Sequence, residues 1–211
     1  PPLRVLVIGD SNTQIGHVTG GLMRNLEQRF GYHGSGYRSL GFVGESKDHA
    51  GAGRGDTYQP YLSFAWSDGW TTHFGEGAFA PYAPDTIALV GSTAGATMTV
   101  RFFGTAIDLY HLDVPKLDAG FALRLDGQAL DALGNDAGVA QGLPAAWHEL
   151  AIEVAHPGGV LLGVDALVEG GGAGRAVVHK WGRGGAATSH FAGLDEDAFA
   201  DALRAVQPDL V

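Results

Sequence analysis

The 211-residue sequence contains no cysteine, so disulfide bonds and thiol catalysis are both excluded. It also contains no apolar run of the ~18 residues that a membrane-spanning helix needs. Basic residues are scarce: 13 Lys and Arg stand against 23 Asp and Glu, and the formal net charge is −10. Because contact with nucleic-acid phosphates needs a basic surface, this balance argues against a nucleic-acid partner.

Hydrophobic residues make up 45% of the sequence and charged residues 17%, which indicates a globular protein rather than a disordered one. The length suits one large domain or two small ones. The 34 glycines predict many turns and short strands. No signal peptide is recognisable, but the chain opens on Pro-Pro-Leu, so the removal of a leader stays open.

The first part of the sequence has an α/β pattern. Residues 3–8, LRVLVI, form the nearly continuous apolar run of a strand buried in a parallel sheet. A helix follows that begins somewhere between residues 13 and 21 and ends at Gly31. Residues 31–60 have weak periodicity and predict a loop. The apolar face of the helix consists of Leu22, Met23, Leu26 and Phe30.

The last part of the sequence returns to the same pattern. Residues 176–182, AVVHKWG, predict a short strand, and a glycine-rich loop follows it. Asp195 is placed to cap a second helix, and residues 208–211, PDLV, begin what resembles another buried strand. The apolar face of this helix consists of Phe199, Ala202, Leu203 and Val206.

The middle of the sequence differs from both ends. It contains short segments with partial alternation of polar and apolar residues, separated at nearly regular intervals by Gly, Pro, Asn and Asp. This pattern is typical of an antiparallel sandwich or jelly roll, and Asp126-Gly127 predicts one of its hairpin turns. We therefore expect an α/β domain formed by residues 1–59 and 173–211, interrupted by an all-β insert of residues 60–172.

The sequence Gly-Asp-Ser-Asn-Thr at residues 9–13 follows the first predicted strand directly. A serine on a sharp turn between strand and helix exposes its Oγ at the carboxyl edge of the sheet, where ligands bind in open α/β folds. Backbone N–H groups of such a turn can stabilise an oxyanion. Ser11 therefore suits a nucleophile. The alternative is that Asp10, Ser11 or Thr13 only caps the next helix, and position alone leaves both interpretations open.

This strand, its Gly-Asp-Ser motif and the helix after it resemble the first motif block of the SGNH (GDSL) hydrolases. Residues 179–189, HKWGRGGAATS, resemble the second block, whose two glycines are spaced three apart as Gly182 and Gly185 are. The resemblance implies a flavodoxin-like three-layer sheet, partial here and interrupted by the β insert. It implies that Ser11 is the nucleophile, that the N–H groups of Ser11 and Gly185 bind the oxyanion, and that Asp10 supports them.

The family has two further blocks, Gly-x-Asn-Asp and Asp-x-x-His, that complete the oxyanion hole and the triad. We expect a C-terminal remainder of the same protein, beyond Val211, to supply this Asn, Asp and His, and we expect these 211 residues alone to be inactive. An Asp-x-x-His string does occur at residues 108–111, but it lies in a predicted strand, where residues three apart face opposite sides. His179 and His190 lie near the second block, and no pattern marks either as the base.

An all-β domain between the two blocks resembles the carbohydrate-binding-module-like sandwich of peptidoglycan O-acetylesterases and related SGNH enzymes. The resemblance implies that the protein hydrolyses acetyl esters on a polysaccharide through an acyl-enzyme, with no cofactor or metal. It implies a periplasmic or extracellular location, or one on a virion or cell surface. Three alternatives stay open: acetyl transfer to a sugar by the same acyl-enzyme, hydrolysis of a lipid ester, and attachment to glycans without catalysis.

Aromatic residues are dense at the start of the β insert and could stack on sugar rings. The alternative is that they pack the junction between the insert and the α/β domain. Asp68, His73 and Glu76 lie close together in sequence, but no pattern fixes their geometry, so we expect no metal site. The candidates for sugar contact are Trp66 and Trp70, with Tyr58 and Tyr61 nearby.

Overall fold

In the computed structural model, the described residues are 2–14, 17–41, 61–75, 77–112, 120–130, 138–170 and 175–211. Across these ranges, no helix is long and apolar enough to cross a membrane. The helices are α1 (Ser11–Gln14), α2 (Thr19–Phe30), α3 (Thr188–Phe191) and α4 (Glu196–Val206). The strands are β1 (Leu3–Gly9), β2 (Arg38–Ser39), β3 (Leu62–Trp66), β4 (Trp70–Phe74), β5 (Ile87–Gly91), β6 (Thr97–Gly104), β7 (Ala106–Leu112), β8 (Phe121–Leu125), β9 (Gln128–Ala129), β10 (Gly138–Ala140), β11 (Ala146–Val154), β12 (Val160–Leu167) and β13 (Ala176–Gly182).

The apolar run near the start of the chain forms β1, which pairs in parallel with β13. The two strands are in register along their whole length, so Gly9 and Gly182 lie side by side at their carboxyl ends. Leu210 forms a parallel bridge with Val5 of β1. The last residues of the chain therefore add a bridge to this small parallel sheet, but Leu210 is 57% exposed, unlike the buried strand that the PDLV segment predicts.

The predicted helix boundaries agree with the structure at two points. Gly31 ends α2 with a φ of 85°, and its N–H donates to the Glu27 carbonyl at 2.8 Å. The Asp195 carboxylate caps α4 by accepting a hydrogen bond from the Ala198 N–H at 2.9 Å. The start of the first helix was uncertain from sequence, and the structure shows why: a separate short helix, α1, begins at Ser11, and α2 begins only at Thr19.

Two antiparallel sheets occupy the middle of the chain. One has the order β10-β7-β12-β5-β4, with β2 paired to β12, and the other has the order β3-β6-β11-β8-β9. The predicted turn at Asp126-Gly127 joins β8 to β9, and its two φ angles of 50° and 79° are those that a tight hairpin turn requires. The sheets pack face to face, because one hydrophobic core draws buried residues from both of them, among them Phe64, Val100, Leu109, Leu150 and Val164.

A second hydrophobic cluster joins the six-stranded sheet to β1, β13 and α4. Consecutive residues of β12 divide between the two clusters, since Leu161 belongs to the sandwich core and Leu162 to the second cluster. Trp181 of β13 is fully buried there. The rings of Tyr37 and Phe199 pack edge-on against Trp181 with centroid distances of 6.3 and 5.5 Å. The outer face of one sheet is therefore covered by the parallel strands and by α4.

The segment from residue 31 to 41, expected to be a loop, contains β2 and packs tightly on β13. Gly36 has a φ of 63°, and any Cβ there would overlap the Val178 carbonyl. The Tyr37 N–H donates to Nδ1 of His179 at 3.0 Å. The rest of the predicted loop, residues 42–60, lies outside the described residues.

The mixed class of strands and helices that the sequence predicts is confirmed. The three-layer hydrolase sheet stays a prediction, because in the described ranges only β1, β13 and the bridge at Leu210 form the parallel sheet. The division into residues 1–59, 60–172 and 173–211 also stays a prediction, since both boundaries fall outside the described residues.

Candidate active site

Ser11 lies on the turn between β1 and α1, and the structure assigns the capping role to its neighbour. The Asp10 carboxylate accepts a hydrogen bond from the Asn12 N–H at 2.9 Å, and the Asp10 carbonyl accepts one from the Gln14 N–H at 3.0 Å. Ser11 is partly exposed. Its hydroxyl is therefore not needed to cap α1, because Asp10 already satisfies the first turn.

Two glycines let α1 pack directly over the ends of the parallel strands. A Cβ at Gly9 would overlap the Thr13 side chain. A Cβ at Gly182 would lie 2.6 Å from the backbone nitrogen of Gln14 and 2.8 Å from Thr13 Cβ. Since real Cβ atoms do not approach backbone this closely, the first turn of α1 depends on glycine in both strands.

Hydrogen bonds tie the loop after β13 to the Ser11 turn. The Arg183 N–H donates to the Gly9 carbonyl at 3.2 Å, and the Gly184 N–H donates to Gln14 Oε1 at 2.6 Å. Gln14 is buried, and its carbonyl also accepts a hydrogen bond from Lys180 Nζ at 2.8 Å. Gln14 thus holds the two loops together, a role for which the sequence pattern gives no signal.

The loop brings its glycines next to Ser11. A Cβ built on Gly184 would lie 3.9 Å from the Ser11 Cβ. Gly185, the predicted oxyanion donor, follows with a φ of 73°, and no atom lies within 4 Å of the place where its Cβ would be. Among the described residues no acceptor takes the Gly185 N–H. Gly184 therefore lies beside Ser11, and the exposed Gly185 is the next residue of the loop.

The edge strand β4 places an aromatic residue, Phe74, beside the loop that follows β13, which the sequence did not predict. Phe74, at the end of β4, is 40% exposed, and its ring lies 3.9 Å from the Cβ position of Gly184. The buried Arg183 guanidinium lies 5.9 Å from the Phe74 ring centroid and fills the space beside Gly75, where a Cβ would overlap it. One sheet of the sandwich thus reaches the Ser11 turn through an aromatic ring.

The two predicted sugar-contacting tryptophans pack against the sandwich core instead of approaching Ser11. The Trp66 ring stacks on Phe64 with a centroid distance of 5.9 Å. The Trp70 ring stacks on Phe121 at 5.8 Å, and its Nε1 donates to the Thr97 carbonyl at 3.2 Å. Trp70 begins β4 and Phe74 ends it, which separates them by about 13 Å. A sugar contact at Trp66 and Trp70 therefore stays a prediction, at a distance from the Ser11 turn.

A different set of aromatic rings packs together on the outer face of the five-stranded sheet, where Trp147 is exposed and the other rings are partly buried. Tyr61 packs against Tyr32 at a centroid distance of 4.1 Å and against Phe103 at 6.0 Å. Phe103 in turn packs against Trp147 at 6.1 Å, and Trp147 is 49% exposed. Of the other predicted aromatic candidates, Tyr58 lies outside the described residues. We call Tyr32, Tyr61, Phe103 and Trp147 the aromatic row.

The histidines weighed from sequence have other partners. His179 is buried, and desolvation, followed by the charges of Arg4 and Arg38, lowers its pKa to about 3. His190 accepts a hydrogen bond from the Ala187 N–H at 2.9 Å at the start of its own short helix. His111 lies on β7 opposite Leu161. Within the described ranges no hydrogen bond joins a histidine to the Ser11 hydroxyl.

No metal-binding group is found in the described part of the chain, where no three His, Asp or Glu side chains are arranged to hold an ion. Asp68 and His73 are among these described residues, and Glu76 lies outside them. Asp68 is exposed on the turn between β3 and β4, and His73 packs against Phe79 with a ring centroid distance of 5.4 Å.

No protein-family model matches the sequence, and no curated protein matches it. The structure is similar to one described as "Peptidoglycan O-acetylesterase in action, 5 min", with a TM-score of 0.66 at 18% identity. The similarity covers 99% of this chain and 55% of that one, so the chain spans about half its length. At this identity the similarity establishes the fold, which the chain shares over nearly all of its residues.

Two other similar structures are those of a two-domain esterase (CEX) active on acetylated mannans and a family two carbohydrate esterase from Cellvibrio japonicus. Their TM-scores are 0.32 and 0.31, each at 12% identity. The first match covers 52% of this chain and 37% of that one, and the second covers 52% and 34%. Neither is close enough to carry a structural conclusion.

Proposed function

We propose that the protein is a serine esterase that removes O-acetyl groups from a polysaccharide in the periplasm, outside the cell or on a virion or cell surface. The observation that carries the proposal is the Ser11 turn. Asp10 caps α1, the hydroxyl of Ser11 is left for chemistry, and the open N–H of Gly185 lies in the adjoining loop. The fold shared with a peptidoglycan O-acetylesterase supports the acetylated-glycan substrate.

In the proposed reaction Ser11 Oγ attacks the acetyl carbonyl carbon while a base removes the hydroxyl proton. The N–H groups of Ser11 and Gly185 donate to the oxyanion of the tetrahedral intermediate, each worth about 3 kcal/mol in such sites. The carbon–oxygen bond to the sugar breaks, the sugar oxygen takes the proton from the base, and an acetyl-serine remains. Water then attacks that ester, its proton passes to the base, and acetate leaves as Ser11 is restored.

The base of this reaction is not among the described hydrogen-bond partners of Ser11. We propose that a C-terminal remainder of the same protein supplies the His and Asp of the triad and the Asn of the oxyanion hole. The resemblance of the two motif blocks to SGNH hydrolases supports this division, as does the fact that the chain spans about half the length of the peptidoglycan O-acetylesterase whose fold it shares.

The test is acetate release from an O-acetylated glycan, and from p-nitrophenyl acetate, by the gene product as the organism makes it. Ser11→Ala is expected to lower both rates by roughly a thousandfold or more, because the nucleophile is lost. Ser189→Ala is the matched control, since Ser189 is an exposed serine of α3 beyond the same loop. Undiminished activity of Ser11→Ala would eliminate Ser11 as the nucleophile.

A glycan-binding protein without esterase activity is the second candidate, and the aromatic row, in which Trp147 is exposed and the other rings are partly buried, favours it. Phe103 and Trp147 are neighbours on paired strands and present ring surface to solvent on the outer face of the sheet. This candidate predicts that glycan binding survives Ser11→Ala and that no acetate is released by the natural protein. Acetate release that depends on Ser11 would exclude it as the whole function.

A further inference from the structure

A small cavity that opens to solvent lies beneath α2, between the segment 31–38 and the beginning of β13. Val178 and Ala176 of β13 line it, whereas the Ser11 turn lies at Gly182, the other end of the same strand. Six residues of extended strand separate Ala176 from Gly182 by about 20 Å. The cavity is therefore distinct from the candidate active site.

The wall of this cavity contains a buried arginine with unsatisfied donors. Arg38 is 0% exposed, and its Nη1 donates to the carbonyls of Tyr37 at 2.9 Å and Val178 at 3.4 Å. Among the described residues, its Nη2 contacts the Met23 sulfur at 2.9 Å and no other acceptor, and its Nε has no partner. Because Nε and Nη2 form one edge of the guanidinium, that whole edge has a weak thioether acceptor and nothing else.

The acids near Arg38 leave this edge open. Asp165 is fully buried, and desolvation, followed by the charge of Asp108, raises its pKa to about 8, so it is mainly protonated at neutral pH. Glu27 also lines the cavity, and it is engaged by Tyr61, whose pKa is raised by desolvation and by that carboxylate. A buried guanidinium with an empty edge is costly, and an incoming carboxylate would satisfy it with two parallel hydrogen bonds.

Two more polar atoms without partners lie at the same cavity. The Tyr32 hydroxyl and Nδ1 of His33 are buried at the cavity, and no described residue forms a hydrogen bond with either atom. Nε2 of His33 is 2.7 Å from the Phe30 carbonyl, to which it donates, so its Nδ1 is an acceptor. The cavity therefore offers donors at Arg38 and Tyr32 and one acceptor at His33, a combination that suits a ligand with both carboxylate and hydroxyl groups.

The aromatic row leads from the outer sheet face to this cavity. Tyr32 and Tyr61 line the cavity, and Phe103 and Trp147 continue the row across β6 and β11. Arg101 lies over the Trp147 ring at 5.8 Å. Aromatic rings with one free face bury the apolar face of a flat ligand while its polar edge stays in water. A pyranose ring has this division between its C–H face and its hydroxyl edge.

We propose that the cavity and the aromatic row form one binding site for a carboxylate-bearing sugar, whose carboxylate pairs with the Nε–Nη2 edge of Arg38 and whose ring rests on Tyr61. The carboxylate displaces the Met23 sulfur from Nη2. Neighbouring sugars of a longer chain continue over Phe103 towards Trp147. The site goes beyond the proposed esterase reaction and does not rest on it, because it lies at the opposite end of β13 from Ser11.

The experiment titrates the ¹⁵N-labelled protein with D-glucuronate, D-glucose and acetate, and follows the Nε–H signal of Arg38 by NMR. Glucuronate carries both the ring and the carboxylate, whereas glucose and acetate each carry one of them. Glucuronate is expected to shift the Arg38 signal and to saturate at a concentration about tenfold below that of acetate. Ser11→Ala is expected to bind glucuronate as the natural protein does.

Two variants sharpen this test. Arg38→Gln is expected to weaken glucuronate binding about tenfold. Arg124→Gln is the control: it removes an exposed arginine of the same sandwich and is expected to leave binding unchanged. If Arg38→Gln does not fold, the Arg38 signal of the natural protein still decides the matter. An Arg38 signal that does not move with glucuronate, or that moves equally with glucose, would overturn the proposal. Equal saturation by acetate and glucuronate would remove the aromatic row from it.

Discussion

The two ends of β13 present their polar groups in different ways. At the carboxyl end, beside Gly182, backbone N–H groups from the loop either bind Gln14 or, at Gly185, stay open. At the amino end, near Val178, the open donors belong to one side chain, Arg38, buried among residues from three separate segments. The hydrogen-bond donors are thus main-chain N–H groups at one end and a buried guanidinium at the other.

This difference determines how each end responds to change. A main-chain site fails when a side chain fills the space that its glycines leave, and its donors carry no charge to titrate. A buried charge tolerates methyl groups nearby but responds to the ionisation of its neighbours, because charges interact strongly at low dielectric. Two kinds of substitution test this difference: a methyl group added at a glycine of the carboxyl end, and a charge removed near Arg38.

The largest effect is expected from Gly182→Ala. The new Cβ would lie 2.6 Å from the Gln14 nitrogen, and that backbone cannot move without lifting α1 from both strands. We expect the free energy of unfolding to fall by about 3 kcal/mol, measured by urea denaturation. Gly21→Ala is the control, because a Cβ at that helical position meets nothing within 4 Å and should raise stability slightly. Equal stability of the Gly182 and Gly21 variants would show that α1 does not rest on β13.

A smaller effect, and one that depends on pH, is expected from Asp165→Asn at the other end. Burial raises the folded-state pKa of Asp165 to about 8, far above its value of 3.8 in the unfolded chain. The unfolded state therefore releases the proton as pH rises above about 4 while the folded state retains it, so Asp165 costs stability that increases up to about pH 8. Asparagine cannot ionise and removes this cost.

We expect the variant to gain about 2 kcal/mol relative to the natural protein between pH 6.5 and pH 8, measured as the difference in unfolding free energy at each pH. His179, 3.5 Å from Asp165, is the neighbouring titrating group, and its lowered pKa places its own effect below about pH 6.5. Comparing variant and natural protein above that pH therefore isolates Asp165. A stability difference that stays constant across this range would contradict a neutral Asp165.

The sequence gives more information about the carboxyl end of β13, beside Gly182, than about the amino end, beside Arg38, for a physical reason. Ser11 and Gly185 stay predictions as catalytic groups, and the sequence can propose them because each lies in a short contiguous motif directly after a predicted strand. Gln14 and Arg183 were missed because their roles depend on partners far away in the sequence: Gln14 accepts from the Gly184 N–H, and Arg183 lies beside Phe74. Nothing local distinguishes a buried Gln or Arg from an exposed one.

Local sequence alone also does not show which aromatic residues lie on the surface, although the alternation within one strand does. The dense cluster around Trp66 and Trp70 predicts either a sugar platform or a packed junction; the two rings stack on phenylalanines of the sandwich core, and the sugar contact stays a prediction. In β11, however, strict alternation buries Leu150 and Ile152 and so places Trp147 on the outer face. The strand pattern therefore separates core from surface aromatics where local density does not. The short strand β2 had no such pattern, because two residues are too few to show a period.

The smallest effect on stability, and the most informative about function, is expected from Gly185→Ala. A Cβ at Gly185 meets no atom within 4 Å, so only the φ of 73° is unfavourable to alanine, at a cost of about 1 kcal/mol. In the proposed reaction the Gly185 N–H donates to the oxyanion, and a shift of the loop towards a φ that alanine prefers would turn this donor away. We expect the rate of acetate release by the natural protein to fall about tenfold while the fold persists. Gly193→Ala, at the end of α3 with no atom closer than 3.6 Å, is the control that should retain both activity and stability. Full activity of Gly185→Ala would show that the Gly185 N–H does not bind the oxyanion. The carboxyl end of β13 would then lack the main-chain donor that distinguishes it from the Arg38 end.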